Sequence, residues 1–204
     1  MELLRLANEF GFFIFEDDYD FDFHYNHRPL SPLASADENG MVIYCGSFSK
    51  TFSPTFRMGY LVAAENVIKH LAKVRILLDR QGDHILDNAM AELLNDNTVQ
   101  RYLRKALTVY EERRNLFCEL LSTELKDVVN FKIPEGGMTV WTEFDESINL
   151  EVLAKKAFGK GLYISNGKMH QYPNYKSNGI RLGFASSSTE ELIRNVEILK
   201  GTII

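Results

Sequence analysis

The chain is poor in the residues that announce a special architecture. It has two cysteines in 204 residues, Cys45 and Cys118. Two are too few for a disulfide framework and suit a reducing compartment. His24 and His27 stand near Asp20 and Asp22, but no further Cys or His completes a metal-ligand pattern. No apolar run approaches the roughly 18 residues of a spanning helix. The opening MELLRLANEF carries two glutamates and lacks the apolar core of a signal peptide. A cytoplasmic chain with no membrane partner is therefore expected. No Gly-rich loop of the P-loop or dinucleotide type occurs. Positive charge is in deficit: 23 Lys and Arg stand against 28 Asp and Glu, a formal net charge of −5. That argues against a domain holding nucleic acid by its overall charge.

What remains is an ordinary globular composition, 45% hydrophobic and 25% charged, which excludes collagen-like and disordered chains. Leu3, Leu4, Leu6 and Ala7 fall at helical spacings, and Gly11 ends that helix. Phe12-Phe13-Ile14-Phe15 and Met41-Val42-Ile43-Tyr44-Cys45 are continuous apolar runs. Without alternation, such runs predict strands buried on both faces, as in a parallel sheet. Met58 to Ala63 predicts a third strand. Residues 65–80, 83–94 and 99–125 read as helices, the last amphipathic through Leu103, Leu107, Tyr110, Phe117 and Leu121. Short strands are expected at 128–133, 138–144, 162–165 and 180–185, with helices at 150–159 and 189–200. Thr189 is the expected N-cap of the last helix. The organisation is α/β up to residue 80, linking helices over 81–126, and a small α+β domain over 127–204.

Ligands in open parallel sheets bind beyond the carboxyl ends of the strands. The first strand ends in Glu16-Asp17-Asp18-Tyr19-Asp20, the second in Ser47-Phe48-Ser49-Lys50, and Arg57 follows. A lysine that condenses with a carbonyl needs a site that can lower its pKa. A pyridine-ring cofactor needs a carboxylate at its ring nitrogen. A phosphate needs hydroxyls, backbone N–H groups and arginine. The same segment also matches S-x-x-K, the serine acyl-enzyme motif, with Tyr172-Pro173-Asn174 as a mimic of its second element. Against that rival, Ser47 follows a strand rather than opening a helix, and no Lys-Thr-Gly triad follows.

Together these segments resemble a known family. Glu16 to Asp20, Phe23-His24-Tyr25, Arg28-Pro29-Leu30, Ser47 to Pro54 and Arg57-Met58-Gly59-Tyr60-Leu61 resemble fold-type I pyridoxal-phosphate aminotransferases. The likeness is strongest to the aminotransferase-like domain of MocR-type regulators in the GntR superfamily. Tyr110 to Arg114, Gly136-Gly137-Met138 and Ile180 to Phe184 fit the same pattern. The resemblance implies an aspartate aminotransferase-like fold: the C-terminal part of a large cofactor-binding domain, then a small α+β domain.

It also implies roles. Lys50 would hold pyridoxal 5'-phosphate covalently and then carry a proton. Asp17 would pair with the ring nitrogen; it is preferred to Asp18 because the family's tyrosine follows two residues later, as Tyr19 does. Tyr19 would donate to the ring's phenolic oxygen. Ser47 and Arg57 would bind the phosphate, and Arg181 the substrate carboxylate, for which guanidinium geometry is suited. Gly136-Gly137 would make a turn or let backbone approach the substrate. The expected activity is transamination between an amino acid and a 2-oxo acid. The alternative is effector sensing in a MocR-type regulator. A homodimer is implied, and DNA would be met only through a domain absent from this chain. Family members carry about as much chain again upstream, so a segment truncated at its N-terminus is expected.

Overall fold

The computed structural model describes residues 1–25, 30–51, 57–78, 82–171 and 177–203. Arg28-Pro29, His27, Phe52-Ser53-Pro54 and Tyr172-Pro173-Asn174 lie outside the described residues. The chain divides into two compact units, Met1–Ala106 and Leu107–Ile204.

In the first unit, helix α1 (Glu2–Phe10) presents Leu4 and Ala7, three residues apart and thus on one face. They are buried with Ile14 of strand β1 (Ile14–Asp17) and Val42 of strand β2 (Val42–Ser47). β1 and β2 pair in parallel, from Ile14 opposite Val42 to Asp17 opposite Cys45. Strand β3 (Gly59–Val62) pairs on the other side of β2, and it runs antiparallel. The reason is length. Only eleven residues, 48–58, separate β2 from β3, whereas a parallel return needs a crossover of a dozen residues or more; the one-turn helix α2 (Phe48–Thr51) opens this segment.

The expected burial of both sheet faces is not found. Ile14 and Val42 face α1, but Phe15 on the opposite face is 63% exposed and β3 is exposed along its length. Helix α3 (Glu65–Leu78) and helix α4 (His84–Asn95) follow, α4 capped by Asp83 on the N–H groups of Ile85 and Leu86. Helix α5 (Thr98–Glu124) carries the division between the units within its length.

The second unit holds an antiparallel sheet in the order β4 (Val129–Phe131), β5 (Thr139–Phe144), β6 (Gly179–Gly183). Period-2 patterning decides its faces. Val140, Thr142, Phe144, Ile180 and Leu182 are buried, while Thr139, Trp141, Glu143 and Arg181 alternate to the exposed side. Helix α6 (Leu150–Gly159) and helix α7 (Thr189–Ile203) bury Leu153, Ala157, Leu192, Val196 and Leu199. The cap of α7 is Ser188, one residue before the expected Thr189. Its hydroxyl accepts the Glu191 N–H at 3.2 Å, and Glu191 returns a carboxylate to the Ser188 N–H at 2.7 Å.

The expected strand at 162–165 joins no ladder among the described residues. Side chains there hold the backbone locally instead. Ser165 Oγ accepts from Gly167 N–H and Asn166 Oδ1 from Lys168 N–H, at 3.2 and 3.1 Å.

Candidate active site

The acidic run that ends β1 separates into distinct tasks because successive residues face opposite sides of the sheet. The Glu16 carboxylate accepts the N–H groups of Leu33 and Ala34, at 2.8 and 3.0 Å, and so caps a 3-10 turn at Leu33–Ala36. Asp17 lies on the opposite face, level with Cys45. Asp18 returns to the α1 side and accepts the Tyr44 hydroxyl at 3.5 Å. Burial raises the Asp18 pKa, and the neighbouring charges of Asp20 and Glu16 add to that rise. Burial, then the Asp18 charge, holds the Tyr44 phenol well above its ordinary range. Asp22 accepts the Thr51 hydroxyl at 2.8 Å.

That last bond fixes the end of α2, the helix that carries Lys50. Thr51 is 4% exposed, and its hydroxyl also lies 3.3 Å from the Ser47 carbonyl. At the other end, Ser47 Oγ accepts the Ser49 N–H at 3.2 Å, and the Phe48 N–H reaches the Met58 carbonyl at 3.0 Å. Ser47 is therefore both the last residue of β2 and the cap of α2, so a strand-end position does not by itself set it apart from a helix-start serine. Phe48 packs on Tyr60 at 5.2 Å between ring centroids, and Tyr60 on Tyr44 at 6.2 Å. Gly46 is required beneath them: a Cβ there would lie 2.3 Å from the Tyr60 ring.

The register puts Asp17, Cys45 and Ser47 on one face of the sheet, with Lys50 in the single turn that follows. Lys50, Asp17, Tyr19 and Arg57 are all exposed. Among the described residues, none of their side chains makes a hydrogen bond or ion pair. Arg57 stands two residues before Gly59, the partner of Ser47 across the β2–β3 ladder.

Arg181 belongs to the second unit. It lies on β6 directly opposite Trp141 of β5, is exposed, and is unpaired among the described residues. A cavity of about 390 Å³ in that unit is lined by residues 162–165 and 181–183. Two arginines of α5 tie loops to the helix. Arg113 donates to the Ala185 carbonyl, and the buried Arg114 donates to the Pro134 carbonyl at 3.2 Å, ahead of Gly136-Gly137.

Sequence reading missed Asp22, Thr51, Trp141 and His170. The first two carried no signal, since nothing local links residues 29 positions apart. Trp141 did carry one: the alternation along Thr139–Phe144 puts it on the polar face. Among the described residues no helix is long and apolar enough to cross a membrane, and no three His, Cys, Asp or Glu group as metal ligands.

The model of the family "aminotransferase class I and II" matches residues 1–199. The HTH-type transcriptional regulator YdfD of Bacillus subtilis is 33% identical over 96% of this chain and 40% of that protein. Aromatic-amino-acid aminotransferase 1 of Thermococcus litoralis is 29% identical over 98% of this chain and 48% of its own length. Among solved structures, the α-aminoadipate aminotransferase LysN of Thermus thermophilus, complexed with N-(5'-phosphopyridoxyl)-L-leucine, superposes with a TM-score of 0.88. It is 26% identical over 99% of this chain and 52% of that one. The chain thus spans about half the length of the relatives it matches, and its α/β fold is that of aspartate aminotransferase-like, fold-type I proteins.

Proposed function

This chain belongs to the class I and II aminotransferase family, and from that premise we propose that it serves in a pyridoxal-phosphate-dependent transaminase acting on an amino acid and a 2-oxo acid. Pyridoxal 5'-phosphate is the cofactor of this family. The observation that carries the proposal is the placing of Lys50 one turn beyond Ser47, with Asp17 on the same sheet face as Ser47. The donor set fits the cofactor: an unpaired carboxylate for a ring N–H, an unpaired amine for an aldehyde, and a hydroxyl with an arginine for a phosphate.

When bound, the cofactor supplies an electron-withdrawing ring that stabilises negative charge at the substrate α-carbon. The chain's residues do the rest. Lys50 holds the cofactor through Nζ and then moves a proton at the α-carbon. Asp17 keeps a proton on the ring nitrogen, which preserves the ring's electron demand. Tyr19 donates to the phenolic oxygen. Ser47 and Arg57 fix the phosphate, and the Arg181 guanidinium takes the substrate carboxylate. Residues 1–80 act as the end of the large domain, 81–126 as linking helices and 127–204 as the small domain. The working form is a cytoplasmic homodimer.

The likeness to YdfD supports a second reading, in which the same residues hold the cofactor and sense an amino acid effector within a MocR-type regulator. DNA would then be met by a part of the protein outside this chain. The full-length protein, loaded with pyridoxal phosphate and given a panel of amino acids, separates the two. Conversion of the cofactor to its amine form establishes transamination. Spectral binding without conversion, with a winged helix-turn-helix encoded upstream, establishes the sensor. Lys50→Ala should abolish the visible absorbance of bound cofactor in either case; its persistence would remove Lys50 from the site.

A further inference from the structure

The exposed face of the β4–β5–β6 sheet carries an arrangement that the roles above leave unused. The Phe144 N–H reaches the Asn178 carbonyl at 2.9 Å, and the Phe184 N–H reaches the Met138 carbonyl at 3.1 Å. In an antiparallel ladder hydrogen-bonded pairs alternate with non-bonded ones, so Trp141 and Arg181 form a non-bonded pair. In that pair type the two side chains come closest, on the same face.

The Trp141 ring lies across Gly179. A Cβ on that glycine would sit 2.4 Å from the ring's Cζ2, so only glycine leaves the ring room to lie across β6. His170 meets the ring edge-on, with centroids 5.0 Å apart at 87°. The indole N–H makes a long hydrogen bond, 3.4 Å, to a Glu143 carboxylate oxygen. Beside the ring, the Ser177 hydroxyl is buried and has no partner among the described residues.

A large aromatic residue held on its perimeter by three groups, yet still 36% exposed, is a platform more than a core residue. Directly opposite it in the β5–β6 ladder is Arg181, whose guanidinium has no partner among the described residues. We propose that Trp141 is a specificity-determining residue: its ring stacks against the side chain of an amino or 2-oxo acid whose carboxylate Arg181 holds. This inference rests on the carboxylate role of Arg181 given above, and it names the substrate class. The ligands favoured carry an aromatic or large apolar side chain. Acidic side chains are disfavoured, because Glu143 presents like charge on the same face.

Non-reacting carboxylates test this by calorimetry, free of turnover. The full-length protein loaded with pyridoxal phosphate is titrated with 3-phenylpropanoate, propanoate and glutarate. Phenylpropanoate should bind about tenfold more tightly than propanoate, with glutarate weakest, from an aromatic contact of the usual strength. Trp141→Ala should erase the preference for the phenyl compound and leave propanoate unchanged; Trp141→Phe should keep part of it. Gly179→Ala, which retains the tryptophan but displaces its ring, should reproduce the loss. Arg181→Gln should weaken all three ligands together. If Trp141→Ala and Gly179→Ala leave the phenyl preference intact while Arg181→Gln weakens every ligand, the platform is refuted and the carboxylate role stands. If Arg181→Gln changes nothing, the carboxylate role itself fails.

Discussion

Replacing Thr51 by valine removes its hydroxyl with almost no change of shape, and pairing that change with one at Asp22 isolates the hydrogen bond between them. The Thr51 hydroxyl donates to Asp22 at 2.8 Å from a site 4% exposed. A hydrogen bond to a charged acceptor contributes about 1.5–3 kcal/mol. Asp22 is only partly buried, so its carboxylate can turn to water after the change, and the penalty of a stranded charge is largely avoided. The lower end applies, about 1.5 kcal/mol. Valine fills the same volume, so no cavity adds to the loss. A double-mutant cycle of Thr51→Val with Asp22→Ala, read by urea denaturation, should give a coupling of about 1–1.5 kcal/mol. Thr51→Ser should recover most of it, because the donor returns. Since the bond anchors the turn bearing Lys50, the pH midpoint of the lysine-bound cofactor's visible absorbance should move in Thr51→Val and return in Thr51→Ser. A coupling near zero would show that Asp22 and Thr51 do not act on each other in solution, and the argument that this bond positions the lysine would fall with it.

Two further outcomes follow from polar groups wholly or partly withdrawn from solvent. The Thr142 hydroxyl is buried on the core face of β5 without a partner among the described residues; Thr142→Val should therefore stabilise the chain by about 1 kcal/mol, seen as a raised denaturation midpoint. Asp18 has a folded-state pKa above its unfolded value, so the folded state binds more protons than the unfolded one as pH rises through that interval, and stability falls across it. Asp18→Asn should thus raise the denaturation midpoint at pH 7, and the advantage should shrink as pH falls through the raised folded-state pKa and be gone below the ordinary aspartate value of about 4; an advantage that grows in acid would contradict the assignment.

The elements that the sequence made legible are those whose signal is local. α1 ends at Gly11, α6 starts on Asn149, and β5 and β6 alternate as their burial does. The lysine turn and the acids were legible because they interrupt apolar runs abruptly. The misses have physical causes. The runs through Phe15 and Ile43 report that a face needs covering, not what covers it, so burial on both faces did not follow for Phe15. The antiparallel β3 was encoded in the shortness of residues 48–58, a topological signal rather than a compositional one. Residues 162–165 have strand-like composition, but Ser165 and Asn166 bind their own backbone and the ladder loses the competition. Thr51 depends on a partner that the fold brings to it, and neither pattern nor propensity announces it; for Trp141 the alternation gives the face but not the ring's neighbours.

The division of labour along Glu16, Asp17 and Asp18 makes this segment sensitive to parity. Each carboxylate owes its face to whether its position is odd or even along the strand, not to its charge, which is the same for all three. Deleting Phe15 would keep all three carboxylates while exchanging the face of each. The turn cap would move to the open face, and the carboxylate aimed there would be delivered to Tyr44. Deleting two residues ahead of Glu16, Ile14 with Phe15, would restore the faces with the strand shortened. For evolution and engineering alike, the segment tolerates change in steps of two residues and resists change in steps of one.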